Sequence, residues 1–192
     1  DYSHPDEGGP GYFYNLVIRS PSLYVSATTS GTTGGVASTP QDILAYDTNT
    51  GQWSMLFDGS DVGVTKALAA FARLPGGDWL LVFKANQTTP AGTFTPWDIA
   101  RFTPTLLGDT TAGSFSWYVD GSDVGLTTSA EKIDALDALP QGDVLISTAG
   151  ALAVPNPGGG TLKAQDEDLA IFYPDSLGAT TTGEWGFFFN GT

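Results

Sequence analysis

The 192-residue chain contains no cysteine, and its only histidine is His4. Without cysteine it has no disulfide, no thiolate nucleophile and no thiolate metal ligand. A Ser–His–acid triad would have to recruit His4, and a zinc site would have to be built largely from carboxylates. We therefore expect a non-enzymatic protein, with glycoside chemistry by paired carboxylates as the enzymatic alternative.

Basic residues are also scarce. Lys and Arg total 7 against 21 acidic residues, which gives a net charge of −14. Nucleic acids and anionic membranes attract proteins through Lys and Arg, so we expect neither as a partner. No run of 18 apolar residues occurs, so the sequence predicts no membrane span. The acidic charge favours solubility and leaves cation binding open.

Glycine and proline are abundant, at 25 and 12 residues, and hydrophobic residues make up 41% of the chain. That hydrophobic fraction is enough for one domain with a sizeable core. Low lysine beside many Thr, Gly and Asp residues is typical of exported bacterial proteins. We therefore expect a location outside the cytoplasm (periplasmic, cell-surface or secreted), with residues 1–10 as a solvated N-terminal tail.

One phrase recurs along the chain: Asp-Gly-Ser-Asp-Val-Gly occupies 58–63 and again 120–125, and Asn190-Gly191 matches its beginning. An aromatic residue precedes each copy at the same distance, namely Trp53, Phe115 and Trp185. Self-similarity of this kind indicates tandem structural repeats. We place repeat 1 at 11–60, repeat 2 at 61–122 and repeat 3 at 123–192.

Each repeat is predicted to form four short antiparallel strands, because aromatic and β-branched runs alternate with Gly, Pro, Asp and Thr. The predicted strands are 12–20, 23–28, 42–47 and 52–57 in repeat 1; 67–74, 78–84, 97–103 and 114–120 in repeat 2; and 132–139, 143–149, 168–173 and 184–190 in repeat 3. Pro-Gly-Gly-Asp and Pro-Gln-Gly-Asp predict tight hairpin turns. The alanine-rich segment 65–74 also fits a helix, but the alternating pattern of its counterpart at 132–139 favours a strand.

Two groups of residues carry a family resemblance. The Gly34-Gly35 doublet followed by "DILAYDTNTGQWSML" resembles a kelch-type β-propeller blade. The phrase "DGSDVGL", with "LPQGDVLIS" and "DEDLAIF", resembles a tandem propeller-like repeat of exported, mostly uncharacterised bacterial proteins. The resemblance implies an all-β, β-propeller-like fold of four-stranded blades outside the cytoplasm, with no assigned chemistry.

Three blades are fewer than the four to eight that usually close a propeller. An open set leaves sheet edges and faces exposed, which favours self-association or a protein partner. Two chains could complete a six-bladed ring, or the three repeats could belong to a larger protein or complex. A threefold β-trefoil or β-prism is the alternative fold.

The recurring phrase is also the candidate metal site, because Asp58 and Asp61, and again Asp120 and Asp123, stand three residues apart in one turn. Carboxylates so placed could bind a hard cation such as Ca²⁺. The structural alternative is that Asp-Gly-Ser-Asp is a turn in which the Asp side chains accept backbone N–H groups. The spacing does not match an EF-hand loop.

Three further aspartates, Asp42, Asp98 and Asp168, each begin the third strand of a repeat and are expected to tie loops together. The aromatic residues that precede the phrase are expected to pack between repeats. Trp97, in a long loop of repeat 2, is the candidate exposed aromatic for stacking on a sugar or for filling a partner's pocket.

These observations favour a non-enzymatic repeat module for protein–protein interaction or assembly, such as an accessory subunit of a larger complex. A carbohydrate-binding lectin, with or without Ca²⁺, is the alternative. The sequence predicts no catalytic residue and no cofactor-binding residue.

Overall fold

The computed structural model describes residues 22–156 and 158–191, and this part of the chain confirms the all-β prediction. It consists of antiparallel strands joined by turns and three short 3-10 helices. Within those ranges no helix is long and apolar enough to cross a membrane.

Repeat 1 contains a three-stranded sheet and a separate hairpin. The strands are β1 (Ser22–Val25), β2 (Gly31–Thr33), β3 (Val36–Ser38), β4 (Ile43–Asp47) and β5 (Gln52–Phe57). The sheet has the order β1-β4-β5, while β2 pairs only with β3. The first strand predicted for this repeat, 12–20, lies outside the described residues.

Repeat 2 forms one antiparallel meander in which sequence neighbours are also sheet neighbours, apart from an inserted hairpin. The strands are β6 (Leu68–Arg73), β7 (Trp79–Phe83), β8 (Gln87–Thr89), β9 (Gly92–Phe94), β10 (Ile99–Leu106) and β11 (Ala112–Val119). The sheet order is β6-β7-β10-β11, and β8 and β9 form the hairpin between β7 and β10. The expectation of a strand rather than a helix around 65–74 is confirmed by β6.

Repeat 3 has the same layout. Its strands are β12 (Ile133–Ala138), β13 (Val144–Thr148), β14 (Leu152–Pro155), β15 (Thr161–Ala164), β16 (Leu169–Ser176) and β17 (Thr182–Phe189). The sheet order is β12-β13-β16-β17, and β14 and β15 form the inserted hairpin. Four-stranded antiparallel sheets are therefore present in repeats 2 and 3, as predicted.

The predicted tight turns join the first two strands of these sheets. In repeat 2, Gly77 N–H donates to the Leu74 carbonyl at 2.9 Å, and in repeat 3 Gly142 N–H donates to Leu139 at 2.9 Å. Both glycines have positive φ, +99° and +102°, which a residue with a side chain adopts only with strain. The Gly of each Leu-Pro-x-Gly-Asp turn is thus required by the backbone.

The core consists of two apolar layers between consecutive repeats. Strand β7 is buried at every position because it lies between both layers. Its residues Trp79, Leu81 and Phe83 pack on the side of repeat 1, whereas Leu80 and Val82 pack on the side of repeat 3. The sheets of the three repeats therefore stack face to face, with repeat 2 in the middle.

Candidate functional site

The Asp-Gly-Ser-Asp phrase holds consecutive repeats together. At the junction of repeats 1 and 2, the Asp58 N–H donates to Thr111 Oγ1 at 2.9 Å. In return, the Thr111 N–H donates to Asp61 Oδ2 at 2.8 Å. The Gly108 N–H adds a third bond, to the Leu56 carbonyl, at 2.9 Å. We call this set of hydrogen bonds the repeat clamp.

The same clamp recurs between repeats 2 and 3. The Asp120 N–H donates to Thr181 Oγ1 at 2.9 Å, and the Thr181 N–H donates to Asp123 Oδ2 at 2.9 Å. The Gly178 N–H donates to the Tyr118 carbonyl at 2.9 Å. In repeats 2 and 3, the last two strands are joined by the turn Leu-Gly-x-Thr-Thr-x-Gly. Its first Gly and its second Thr therefore form the hydrogen bonds to the preceding repeat.

The first Asp of each phrase organises its own turn. Asp58 Oδ1 accepts hydrogen bonds from the N–H and the hydroxyl of Ser60, at 3.0 and 2.6 Å. Asp120 Oδ1 does the same with Ser122, at 3.1 and 2.6 Å. A short 3-10 helix follows in each case, at Ser60–Val62 and Gly121–Val124. These are the local Asp–backbone bonds that the structural alternative predicts.

The aspartates that precede the third strands form a second recurring contact. Asp98 Oδ2 accepts from the N–H and the hydroxyl of Thr95, both at 2.7 Å, and Oδ1 accepts from Gly121 N–H at 3.0 Å. Asp42 binds Gly59, and Asp168 binds Gly191, at the same 3.0 Å distance. Each Asp thus ties its loop to the Gly of the recurring phrase, as the sequence led us to expect.

The pKa of the Asp98 carboxyl is raised. Burial is the largest cause, and it outweighs the bonds from Thr95 and Gly121, which act to lower the pKa; the nearby charge of Asp120 raises it slightly further. The side chain is 2% exposed. A buried carboxylate that accepts three hydrogen bonds has its polar atoms satisfied, so we assign Asp98 a structural role.

The candidate cation site, Asp58, Asp61, Asp120 and Asp123, remains a prediction. One carboxylate oxygen of each residue already accepts a hydrogen bond within a turn or a repeat clamp. In the ranges 22–156 and 158–191, no group of three or more His, Cys, Asp or Glu side chains is placed to hold a metal ion.

Two polar residues that bind the backbone after the recurring phrase were not identified from the sequence. Glu131 accepts hydrogen bonds from the N–H groups of Thr127, Thr128 and Ala153, at 2.9, 2.8 and 3.3 Å. Burial acts to raise the pKa of this carboxyl, but the hydrogen bonds together prevail and lower it. In repeat 2, Gln87 accepts from the equivalent backbone N–H groups of the segment that follows the phrase.

Glu131 and Gln87 could not have been paired by aligning the repeats. Glu131 precedes the first strand of repeat 3, whereas Gln87 lies in the inserted hairpin of repeat 2. The same backbone segment is therefore held from two different positions in the chain.

The aromatic residues before the phrase each stack on one ring in the third strand. The ring pairs are Tyr46–Trp53, Phe102–Phe115 and Phe172–Trp185, with centroids 4.8, 5.0 and 4.9 Å apart. Trp185 is also anchored to the link between repeats by a 2.9 Å bond from its Nε1 to the Val124 carbonyl. Phe115 and Trp185 pack in the two apolar layers, as expected.

Trp97 is half-buried and packs against the apolar layer between repeats 2 and 3. Its carbonyl lies so close to Gly121 that a side chain there would collide with it. Trp97 thus contributes to the packing around the phrase, and its role as a binding aromatic stays a prediction.

Equivalent grooves lie beside the two clamps. The first, about 510 Å³, contains Asp61, Thr111 and Phe115 in its lining. The second, about 260 Å³, contains Asp123, Thr181 and Trp185. Repetition of the stack therefore presents the same combination of a carboxylate, a threonine and an aromatic ring twice.

The outer side of repeat 3 is the most apolar exposed region in the described part of the chain. Among the described residues, seven large hydrophobic side chains are exposed, and five of them lie in β16, β17 and the turn between them: Tyr173, Leu177, Phe187, Phe188 and Phe189. Tyr173, Phe188 and Phe189 lie on the outer side, whereas Phe187 pairs with Ala170, which packs in the layer shared with repeat 2. Phe188 is 53% and Phe189 55% exposed, whereas the equivalent Tyr118 and Val119 of repeat 2 are 7% and 2% exposed. The difference arises because repeat 3 covers repeat 2 at these positions.

Comparison with known proteins finds no matching family model, no similar curated protein and no similar solved structure.

Proposed function

We propose that this chain is a non-enzymatic, extracytoplasmic repeat module for protein–protein assembly, serving as an accessory part of a larger complex. The observation that carries the proposal is the exposed apolar face of repeat 3. Monomeric soluble proteins rarely leave several adjacent large apolar side chains in water, and such patches mark interaction sites. Aromatic residues are also the side chains that contribute most to protein interfaces.

A β-propeller-like packing of the repeats is part of the proposal. Each complete sheet is one antiparallel meander, and consecutive sheets stack through apolar faces. The first strands of repeats 2 and 3, β6 and β12, lie beside each other, as the inner strands of neighbouring blades do. An open stack of such blades needs a partner for its outermost face.

The non-enzymatic part of the proposal rests on the residues near the clamps and grooves. Their carboxylates are engaged in recurring structural bonds, and the sequence contains a single histidine and no cysteine. The extracytoplasmic location rests on the composition, which combines few lysines with many Thr, Gly and Asp residues.

Capture with the purified full-length chain tests the assembly role. The chain is immobilised and exposed to cell-envelope and culture-supernatant fractions of its source organism. We expect a protein that binds the wild type and is lost with Phe188→Asp. Leu106→Asp is the matched control, because Leu106 is 51% exposed but lies in repeat 2, away from the patch. Absence of any bound protein, or equal capture by Phe188→Asp, would count against the role.

The two equivalent grooves favour a second candidate, a carbohydrate-binding lectin. Carboxylate and hydroxyl groups next to an aromatic ring are suited to a sugar ring, and two copies would give multivalent binding. A glycan array probed with and without a chelator tests it. Glycan binding that is lost in Thr182→Trp, a substitution at the rim of the second groove, would support the lectin. No glycan binding with or without the chelator would rule the lectin out.

A further inference from the structure

The outer face of repeat 3 has the same strand order as the face of repeat 2 that repeat 3 covers inside the molecule. Leu145 pairs with Ile171 across β13 and β16, and Ile171 pairs with Gly186 on β17. Residues opposite each other on neighbouring strands point to the same side of the sheet. Leu169 and Tyr173, two positions either side of Ile171, therefore share that side.

Three positions of this face correspond to residues of repeat 2 that repeat 3 covers, whereas Ile171 and Tyr173 stand where repeat 2 has the exposed Arg101 and Thr103. Leu80, Ile99 and Val119 correspond to Leu145, Leu169 and Phe189 when the repeats are aligned through their turns and recurring phrases. In repeat 2 these three residues are at most 2% exposed and belong to the apolar layer shared with repeat 3. At these three positions, the partner that covers the equivalent face inside the molecule is a four-stranded repeat.

The backbone beside this face is arranged as at the two internal junctions. The Gly191 N–H bonds to Asp168 just as the Gly121 N–H bonds to Asp98, so strand β17 leaves the sheet in the same way as β11. At the internal junction, the carbonyl of Tyr118 receives the Gly178 N–H of the following repeat. The residue of repeat 3 that corresponds to Tyr118 is Phe188, so its carbonyl is the equivalent acceptor.

A second copy of this chain fits the face less well. The described part of repeat 1, the repeat that a head-to-tail copy would present, has only the short turn Thr48–Gly51 between β4 and β5. That turn lacks the Gly and Thr of Leu-Gly-x-Thr-Thr-x-Gly that complete both clamps. Two copies meeting through their repeat 3 faces would bring like charges together, because Asp137 and Glu184 are exposed there.

Resting on the assembly role proposed above, we infer that the outer face of repeat 3 binds a further four-stranded repeat of the same kind, one that carries a Leu-Gly-x-Thr-Thr-x-Gly turn. Asp137 stands where repeat 2 has Ala72, so the partner repeat supplies a basic or hydrogen-bonding side chain opposite it. Tyr173 stands where repeat 2 has the exposed Thr103, so the bound repeat reaches further towards the outer edge of the sheet than the internal ones do.

A chain extended by one repeat provides the test. The full-length protein is continued after Gly191 with a second copy of residues 122–191, which restores an uninterrupted Asn-Gly-Ser-Asp-Val-Gly link. Asp137→Ala is included in both the parent and the extended chain, so that the face matches that of repeat 2. Since the natural sequence has no cysteine, a single Phe188→Cys substitution gives a unique label for a thiol reagent.

We expect the thiol at position 188 to react about tenfold or more slowly in the extended chain, which corresponds to about 1.4 kcal/mol of docking free energy. Leu23→Cys, 56% exposed in repeat 1, is the matched control and should react equally in both chains. Thr181→Ala within the appended repeat should restore part of the reactivity, because it removes the acceptor for the backbone N–H at position 190.

Three outcomes would overturn the inference. They are an appended repeat that folds but leaves position 188 reactive, an appended repeat that proteolysis trims back to the parent chain, and protection in the unextended chain that grows with its concentration. The last would identify a second copy as the occupant. None of the three bears on capture of a partner by the parent chain, so failure of the assembly role would be seen separately.

Discussion

Replacing Thr111 by valine tests whether the repeat clamp stabilises the stack. Valine keeps the shape of the side chain but removes the hydroxyl, which accepts from the Asp58 N–H at 2.9 Å and donates to the Gly108 carbonyl at 3.1 Å. Thr111 is only 3% exposed, so water does not readily replace the lost partner. The bond from the Thr111 N–H to Asp61 remains, since it does not involve the hydroxyl.

The expected loss follows from the two backbone groups left without a partner. At about 1 to 2 kcal/mol for each, the free energy of unfolding should fall by about 2 to 4 kcal/mol. For a chain of this size, the midpoint of thermal unfolding should fall by about 4 to 16 °C. Thr181→Val should behave alike, because Thr181 makes the same contacts between repeats 2 and 3.

Urea denaturation followed by circular dichroism measures the change, and an unchanged slope against urea would show that the unfolded state is unaffected. Thr110→Val is the matched control, since this neighbouring hydroxyl is exposed. If Thr111→Val and Thr110→Val agree to within about 0.5 kcal/mol, the range of ordinary surface changes, the clamp does not contribute as described.

Three further predictions concern the turns and the acidic residues. Gly59→Ala should lower the free energy of unfolding by about 1 to 3 kcal/mol, because the new Cβ would lie 2.6 Å from the Gln41 carbonyl oxygen. Gly76→Ala is the control in the same urea assay and should leave the free energy of unfolding unchanged, because there is open space around Gly76. Glu131→Gln should be less stable than the wild type at pH 7. The gap should close as pH falls below 4.5, the ordinary pKa of the carboxyl, because the lowered folded-state pKa stabilises the protein only while Glu131 is ionised; a gap independent of pH would contradict this. If Asp58, Asp61, Asp120 and Asp123 bind calcium, the melting temperature should rise with calcium concentration and fall with a chelator, whereas an unchanged melting temperature would leave them the structural role alone.

The main strands could be predicted because their signal is local. Runs such as Trp79–Phe83 combine aromatic and β-branched residues and are bounded by Gly and Pro turns, so their number and order follow from composition and spacing. The inserted hairpins were missed for the opposite reason. Strands such as Gly31–Thr33 are three residues long, rich in Gly and Thr, and show no apolar alternation.

The role of the recurring phrase could be predicted only in part. That its first Asp holds a turn follows from the sequence, because Asp58 and Ser60 are two residues apart. The partner of Asp61 is 50 residues away in the sequence, on a turn of the next repeat. No local sequence pattern predicts the contact between Asp61 and Thr111, because only the stacking of the sheets brings these two residues together.

The two-sided burial of strand β7 has a consequence for how the molecule opens. Repeats 1 and 3 each share one apolar layer with repeat 2, so either can separate at the cost of a single layer, whereas opening repeat 2 breaks both. In stacked repeats, stability is close to a sum of repeat and nearest-neighbour contributions. Amide protons of β7 should therefore exchange with solvent only through global unfolding, while those of β13 exchange through the partial detachment of repeat 3.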